Sequence, residues 1–215
     1  MAPFDNEGAG ARGERIHEHG EHAGRAELPF MTPDNRWLAE TWPFVRAQIP
    51  TPPAQVVEIG CGSLGGFVPA LRAEGYRAIG IDPHAPEGSW YRQIQFEQYE
   101  FSGPVDAVIA CTSLHHLHDL NGAIDRIASS LVNGGTLVVI EWVRERFDEA
   151  TAAWAFARLA PTDEPRWLHG HRERWHASEQ SWGSYLSEWA EGAGLHPTEN
   201  ILAALATRFD TELLA

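Results

Sequence analysis

Apolar positions along this chain switch between two rhythms. Trp37, Leu38, Trp42, Phe44, Val45 and Ile49 follow the start signal Thr32-Pro33-Asp34 at helical spacing, and Pro50, Pro52 and Pro53 end that stretch. Short apolar runs then alternate with helical patterns. The runs are Gln55–Ile59, Ala78–Ile81, Arg92–Phe96, Val105–Cys111 and Thr136–Ile140. A helix over Phe67–Glu74, stopped by Gly75, separates the first two. A loop with Pro83, Pro86 and Gly88 precedes the third, and Gly103-Pro104 precedes the fourth. Leu120, Ala123, Ile124, Ile127 and Leu131 form one helical stripe, and Asn133-Gly134-Gly135 reads as a tight turn before the last run. The fourth and fifth runs are continuously apolar, as strands covered on both faces are. The alternation predicts an α/β fold, a mostly parallel sheet with right-handed crossovers and helices on both faces.

Beyond Trp142 the rhythm weakens. Helices are expected over Phe147–Leu159, Ser181–Gly192 and Thr198–Phe209, the last with Thr198 as N-cap, and a polar loop over Pro161–Ser178. Residues 1–27 carry almost no apolar periodicity and read as a mobile arm. His17, His19 and His22 in it are taken as solvated rather than metal-binding. Residues 28–215 form one domain, and its 215-residue chain is long enough for a sizeable core.

The chemistry lies where strands end. Val56-Val57-Glu58-Ile59 runs into Gly60-Cys61-Gly62-Ser63-Leu64-Gly65-Gly66, and Ile79-Gly80-Ile81 ends on Asp82. Gly60-x-Gly62-x-x-Gly65, with Asp82 about 20 residues on, formally matches a dinucleotide fingerprint. Such a site brings a pyrophosphate to the helix N-terminus. Glu58 would set a carboxylate beside that anion. S-adenosylmethionine has no phosphate; it offers an ammonium, a sulfonium and a ribose diol, and Asp82 can accept two hydrogen bonds from a diol.

The stretch 54–142 resembles a class I S-adenosylmethionine-dependent methyltransferase of the small-molecule branch. The residues carrying the resemblance are Glu58-Ile59-Gly60-Cys61-Gly62, Asp82, Val105-Asp106-Ala107-Val108, Leu114-His115-His116-Leu117 and Asn133-Gly134-Gly135. Each motif is weak alone; the order and spacing are specific. The resemblance implies methyl transfer to a small-molecule acceptor, at oxygen before nitrogen or carbon. It implies that Glu58, Gly60 and Gly62, with Cys61, cradle the methionyl end. Asp82, with Pro83 beside it, would hold the ribose. Phe96 and Glu97, with Gln98, would lie by the adenine, and Cys111 and Thr112 under the sulfonium. His115 or His116 is the candidate general base, against the alternative that they cap a helix or pack under the cofactor. Segments 28–50 and 143–197 would build the acceptor side and lid. An antiparallel strand pair normally closes this fold; after Phe209 there is room for one short strand at most. A nicotinamide-dependent oxidoreductase and a non-catalytic binder of the same cofactor remain the rival readings.

Charge and cysteine usage trim the partners. The net charge is −14, with 30 acids against 16 bases, all arginine, so a phosphate backbone is repelled and no nucleic-acid partner is expected. Cys61 and Cys111 are read as reduced thiols. No apolar run approaches the ~20 residues of a membrane span, which excludes a membrane partner. The N-terminus lacks a secretory pattern, so the expected compartment is the cytoplasm. No metal is expected from His169, His171, His176, Glu173 or Glu179, whose spacing fits no zinc pattern. A homo-oligomer is left open.

Overall fold

The computed structural model describes residues 33–161 and 166–213. Its centre is a five-stranded, all-parallel sheet in the order β3-β2-β1-β4-β5. The strands are β1 (Gln55–Ile59), β2 (Arg77–Ile81), β3 (Tyr91–Arg92), β4 (Val105–Cys111) and β5 (Leu131–Ile140). Helices α1 (Pro33–Gln48), α2 (Val68–Ala73) and α3 (Leu120–Ser130) precede or link them. Helices α4 (Glu149–Phe156), α5 (Trp167–Ser178), α6 (Trp182–Gly192) and α7 (Thr198–Ala206) follow.

Period-two alternation sends neighbouring strand residues to opposite faces. Val57, Ile59, Ile81, Val108 and Ala110 meet α3 and α7 on one face. Val56, Ala78, Ala107, Ile109 and Val138 meet Val45 of α1, Ile49 just after it, and Val68 and Leu71 of α2 on the other. Asn133-Gly134-Gly135 is not a turn before β5 but an interruption within it. Val105 pairs with Leu131 and Ala107 already with Thr136, so the intervening residues bulge out of register. Gly134 has a φ of 77° there.

The third run gives only Tyr91–Arg92 as strand; Phe96–Gln98 is a 3-10 turn. Polar Gln93 and Gln95 break the run, and Phe96 drops into the core against Phe101. The polar loop expected over Pro161–Ser178 is mostly helix α5. Trp167, His171 and Trp175 recur at i, i+4 and i+8, a helical stripe once a neutral histidine counts as apolar. Thr198 is not an N-cap; Pro197 holds that position, and Thr198 bonds Glu145 instead.

Helices α4, α5 and α6 enclose a separate aromatic core of Phe156, Trp182 and Tyr185 with Phe147, Trp175 and Trp189 against it. The indole N–H of Trp182 donates to the Phe147 carbonyl, and its ring meets Phe147 and Phe156 edge to face. His171 is fully buried here, its Nδ1 2.8 Å from the Tyr185 hydroxyl. Burial pushes this imidazole down to about 4, so it is neutral at pH 7. Its Nε2 has no hydrogen-bond partner, and the ring meets Trp189 near-perpendicularly at 4.5 Å, an N–H···π type of environment.

β5 is an edge of the sheet, and among the described residues no antiparallel strand closes it. Asp210–Leu213 form no strand. The arm expected over 1–27 lies outside the described residues. Among the described residues no helix is long and apolar enough to cross a membrane. Cys61 and Cys111 are buried and unbridged.

Because Trp182 is fully buried and donates its only side-chain hydrogen to a carbonyl, Trp182→Ala should cost about 3–5 kcal/mol. Urea unfolding followed by tryptophan fluorescence measures this; a loss below about 1 kcal/mol would show that the three helices do not pack as a unit.

Candidate active site

The chain leaves β1 for β2 and β3 on one side and returns to β4 on the other. The carboxyl ends of β1 and β4 therefore border a topological switch point, where open α/β sheets place ligands. The loops after β1, β2, β4 and β5 supply its walls.

The loop after β1 is made by close backbone approach. Gly60 has a φ of 77°, and a Cβ there would lie 2.3 Å from Ser113 Cβ. Its N–H donates to the Ile81 carbonyl at 2.8 Å, continuing the sheet. Gly62 borders open space, and its N–H donates to Asp82 Oδ2 at 3.1 Å. The other Asp82 oxygen accepts from His84 N–H at 2.7 Å. Each carboxylate oxygen has a second lone pair, so Asp82 keeps acceptor capacity toward a ligand.

Glu58 departs from its expected role. It is 1% exposed and has no face on the cleft. Its Oε2 accepts from Phe67 N–H at 2.8 Å, so it holds the entrance of α2, where Val68 N–H donates to the Gly65 carbonyl at 3.2 Å. Burial pushes the carboxyl up to about 8 against the pull of the Phe67 amide. A Cβ on Gly66 would sit 2.1 Å from Glu58 Oε1, so only glycine fits over it. The donors a diphosphate would need at this helix entrance are thus taken by the protein itself.

The remaining expected cofactor residues divide by exposure. Cys61 packs under β2 beside Gly80, and burial pushes its thiol up to about 12. Cys111 is buried, and burial pushes its thiol up to about 11. Neither thiol is a nucleophile at neutral pH. Phe96, expected by the adenine, is 3% exposed and packs edge to face with Phe101 in the core. Glu97 accepts from His118 N–H at 3.0 Å and so ties its 3-10 turn to the loop after β4. Pro83 and Thr112 are exposed. Thr112 has a φ of 49°, an outlier for a β-branched residue, held by its N–H donating to Ile140 O at 2.6 Å.

His115 and His116 lie in the 3-10 turn Leu114–His116, ring centroids 4.1 Å apart. The structure separates them. His115 Nδ1 is 2.6 Å from Glu141 Oε2, while His116 is exposed and has no carboxylate partner among the described residues. Burial first, then neighbouring His115, holds His116 below the ordinary histidine range. Glu141 Oε1 also accepts from Ser113 N–H at 2.9 Å and Leu114 N–H at 2.6 Å. From the other side His196 N–H donates to the His115 carbonyl at 3.0 Å, and His196 Nε2 lies 2.8 Å from Leu117 O. Ser113 Oγ is buried beside Gly60 and has no partner. Ser113, Glu141 and His196 are absent from the sequence expectation. Glu141 had a signal: it follows the apolar end of β5 as Asp82 follows β2. Among the described residues no group of three or more His, Cys, Asp or Glu could hold a metal ion.

A family model described as a methyltransferase domain matches residues 34–199. The chain belongs to the methyltransferase-domain family. This methyltransferase-domain chain matches no curated protein. Among solved structures it resembles an S-adenosylmethionine-dependent methyltransferase of Mesorhizobium loti, at 22% identity over 46% of this chain and 52% of that one, with a TM-score of 0.40. It also resembles an amino pentose methyltransferase of Micromonospora echinaspora involved in calicheamicin biosynthesis, solved with S-adenosylmethionine, at 18% identity, 52% of each chain and a TM-score of 0.40. A third is the N-methyltransferase NodS of Bradyrhizobium japonicum, solved with S-adenosylhomocysteine, at 20% identity, 50% of this chain, 62% of that one and a TM-score of 0.39. The chain spans about half the length of the first two.

Glu58 yields a pH prediction. A carboxyl raised to about 8 stabilises the fold at low pH, and that contribution is lost as pH rises through 8 because the folded state must then bury the anion. Relative to wild type, Glu58→Gln should gain on the order of 2 kcal/mol between pH 6 and pH 9. Denaturant titrations at both values measure it; a difference that does not change with pH means the carboxyl is already ionised at pH 6.

Proposed function

We propose that this protein transfers a methyl group from S-adenosylmethionine to a small-molecule acceptor, at oxygen. The observation carrying the reading is the Asp82 carboxylate at the end of β2. It is bonded to the Gly62 turn, beside the switch point between β1 and β4, and the first N–H at the nearby helix entrance is bonded to Glu58. The spare lone pairs of Asp82 suit a ribose diol. The orphaned Ser113 hydroxyl beside Gly60 suits a hydrogen bond to the polar methionyl end, which offers both donors and acceptors. Gly60 and Gly62 admit the ligand close to the backbone, and Thr112 would edge the transfer space. Pro83 and Glu97 belong to the loops that would border the nucleoside. Glu58, Cys61 and Cys111 act beneath this surface by shaping it.

When bound, the cofactor supplies an activated methyl carbon; the chain's task is to orient the acceptor, exclude water and take a proton. His115 and His116 stand at the carboxyl edge for that last step. Helix α1 and the α4–α6 cap flank the same edge and would form the acceptor side. Trp142, directly after Glu141, meets Trp167 of α5 edge to face at 5.2 Å, and this pair would give a flat acceptor an aromatic surface. The net charge of −14 favours an acceptor that is not a polyanion. A nicotinamide dinucleotide fits less well, because the Phe67 and Val68 N–H groups at the entrance of α2 are already bonded, to Glu58 and to the Gly65 carbonyl.

Calorimetry with S-adenosylhomocysteine tests the assignment. Asp82→Ala should weaken binding at least tenfold, and Ser113→Ala about fivefold, one neutral hydrogen bond's worth. Unchanged affinity in Asp82→Ala, or binding of NADH in place of S-adenosylhomocysteine by the wild type, would sink the reading.

A further inference from the structure

Resting on that methyltransferase reading, we propose that His115 rather than His116 is the proton acceptor. Glu141 is then its positioning residue, and the acceptor a group that reaches the site carrying its proton, such as a hydroxyl. Three observations carry this. Glu141 Oε2 lies 2.6 Å from His115 Nδ1, so a neutral imidazole must donate from Nδ1 and keep its lone pair on Nε2. His115 Nε2 has no hydrogen-bond partner among the described residues, and the His115 side chain is 15% exposed. The turn bearing His115 is clamped on both sides: Glu141 Oε1 takes the N–H groups of Ser113 and Leu114, and His196 takes the His115 carbonyl. His116 has no carboxylate partner among the described residues to fix its tautomer.

The geometry is that of a base oriented by a third group. In the transfer, the acceptor O–H bond breaks toward His115 Nε2 as the acceptor oxygen forms its bond to the methyl carbon. The pair from the breaking C–S bond goes to sulfur, neutralising the sulfonium. The imidazolium, balanced by the Glu141 carboxylate, later returns its proton to water. An acceptor already anionic at neutral pH, such as a carboxylate, would gain nothing from such a base. A hydroxyl does.

The test reads the tautomer directly. Nitrogen-15 histidine spectra of the full chain with S-adenosylhomocysteine bound, assigned with His115→Gln, should show His115 protonated at Nδ1 and bare at Nε2. Glu141→Gln should move it toward the Nε2–H form. Wild-type His115 in the Nε2–H form overturns the proposal without reference to any variant, and so does an unchanged tautomer in a folded Glu141→Gln. Calorimetry on the same samples separates the two levels. Loss of S-adenosylhomocysteine binding in the wild type overturns the methyltransferase reading, whereas retained binding with the wrong tautomer overturns only the role of His115 and Glu141.

Discussion

One buried carboxyl organises the ligand edge of this protein. Glu58 stands on the central strand, between β2 and β4, and its carboxyl meets the Phe67 amide at the entrance of α2. Because that carboxyl occupies the helix entrance, the chain between Gly60 and Phe67 has to arch over it. The arch is possible only with positive φ at Gly60, Gly62, Gly65 and Gly66. The arch in turn delivers the Gly62 N–H to Asp82. A single polar side chain thus couples the sheet, the first crossover helix and the second acid, and it does so from below the binding surface.

Glu141 has the complementary job on the other half of the edge. Its position after β5 lets it reach back across β4 to the turn after Cys111, fixing three successive residues with two oxygens. Both acids are mostly buried, yet they work differently. Glu58 shapes backbone; Glu141 also faces an ionisable ring. The strained Thr112 lies between the strand and that turn, held by the Ile140 carbonyl, so the loop after β4 is over-determined where a reacting group has to be steady.

Much of this was legible in the chain itself. Apolar runs separated by helical stripes specify the parallel sheet, because strands buried on both faces have no reason to alternate. Asp82 and the glycines announce a ligand edge by standing at strand ends. What pattern reading missed has physical causes. The third run fails as a strand because Phe96 gains more from the core than from a ladder. Pro161–Ser178 looks polar because a buried histidine is scored as hydrophilic, though His171 behaves as a neutral member of an aromatic core. Glu58 reads as a ligand contact from its place in the motif, but periodicity cannot say whether a strand-end acid turns toward solvent or under a helix. Ser113 and His196 carry no signal at all: their roles come from long-range contacts, His196 lying 79 positions along the chain from the Leu117 carbonyl it meets.

The His196 contact has an architectural consequence. The cap leaves the sheet at Glu141 and returns at His196, and both residues bind the same short turn. The segment between them is therefore an insert with closed ends, its own aromatic core and fixed points of departure and return. Such a module can be lengthened, shortened or exchanged wholesale while the turn beneath it stays put. The cap and the turn that anchors both its ends are then free to change on separate evolutionary schedules.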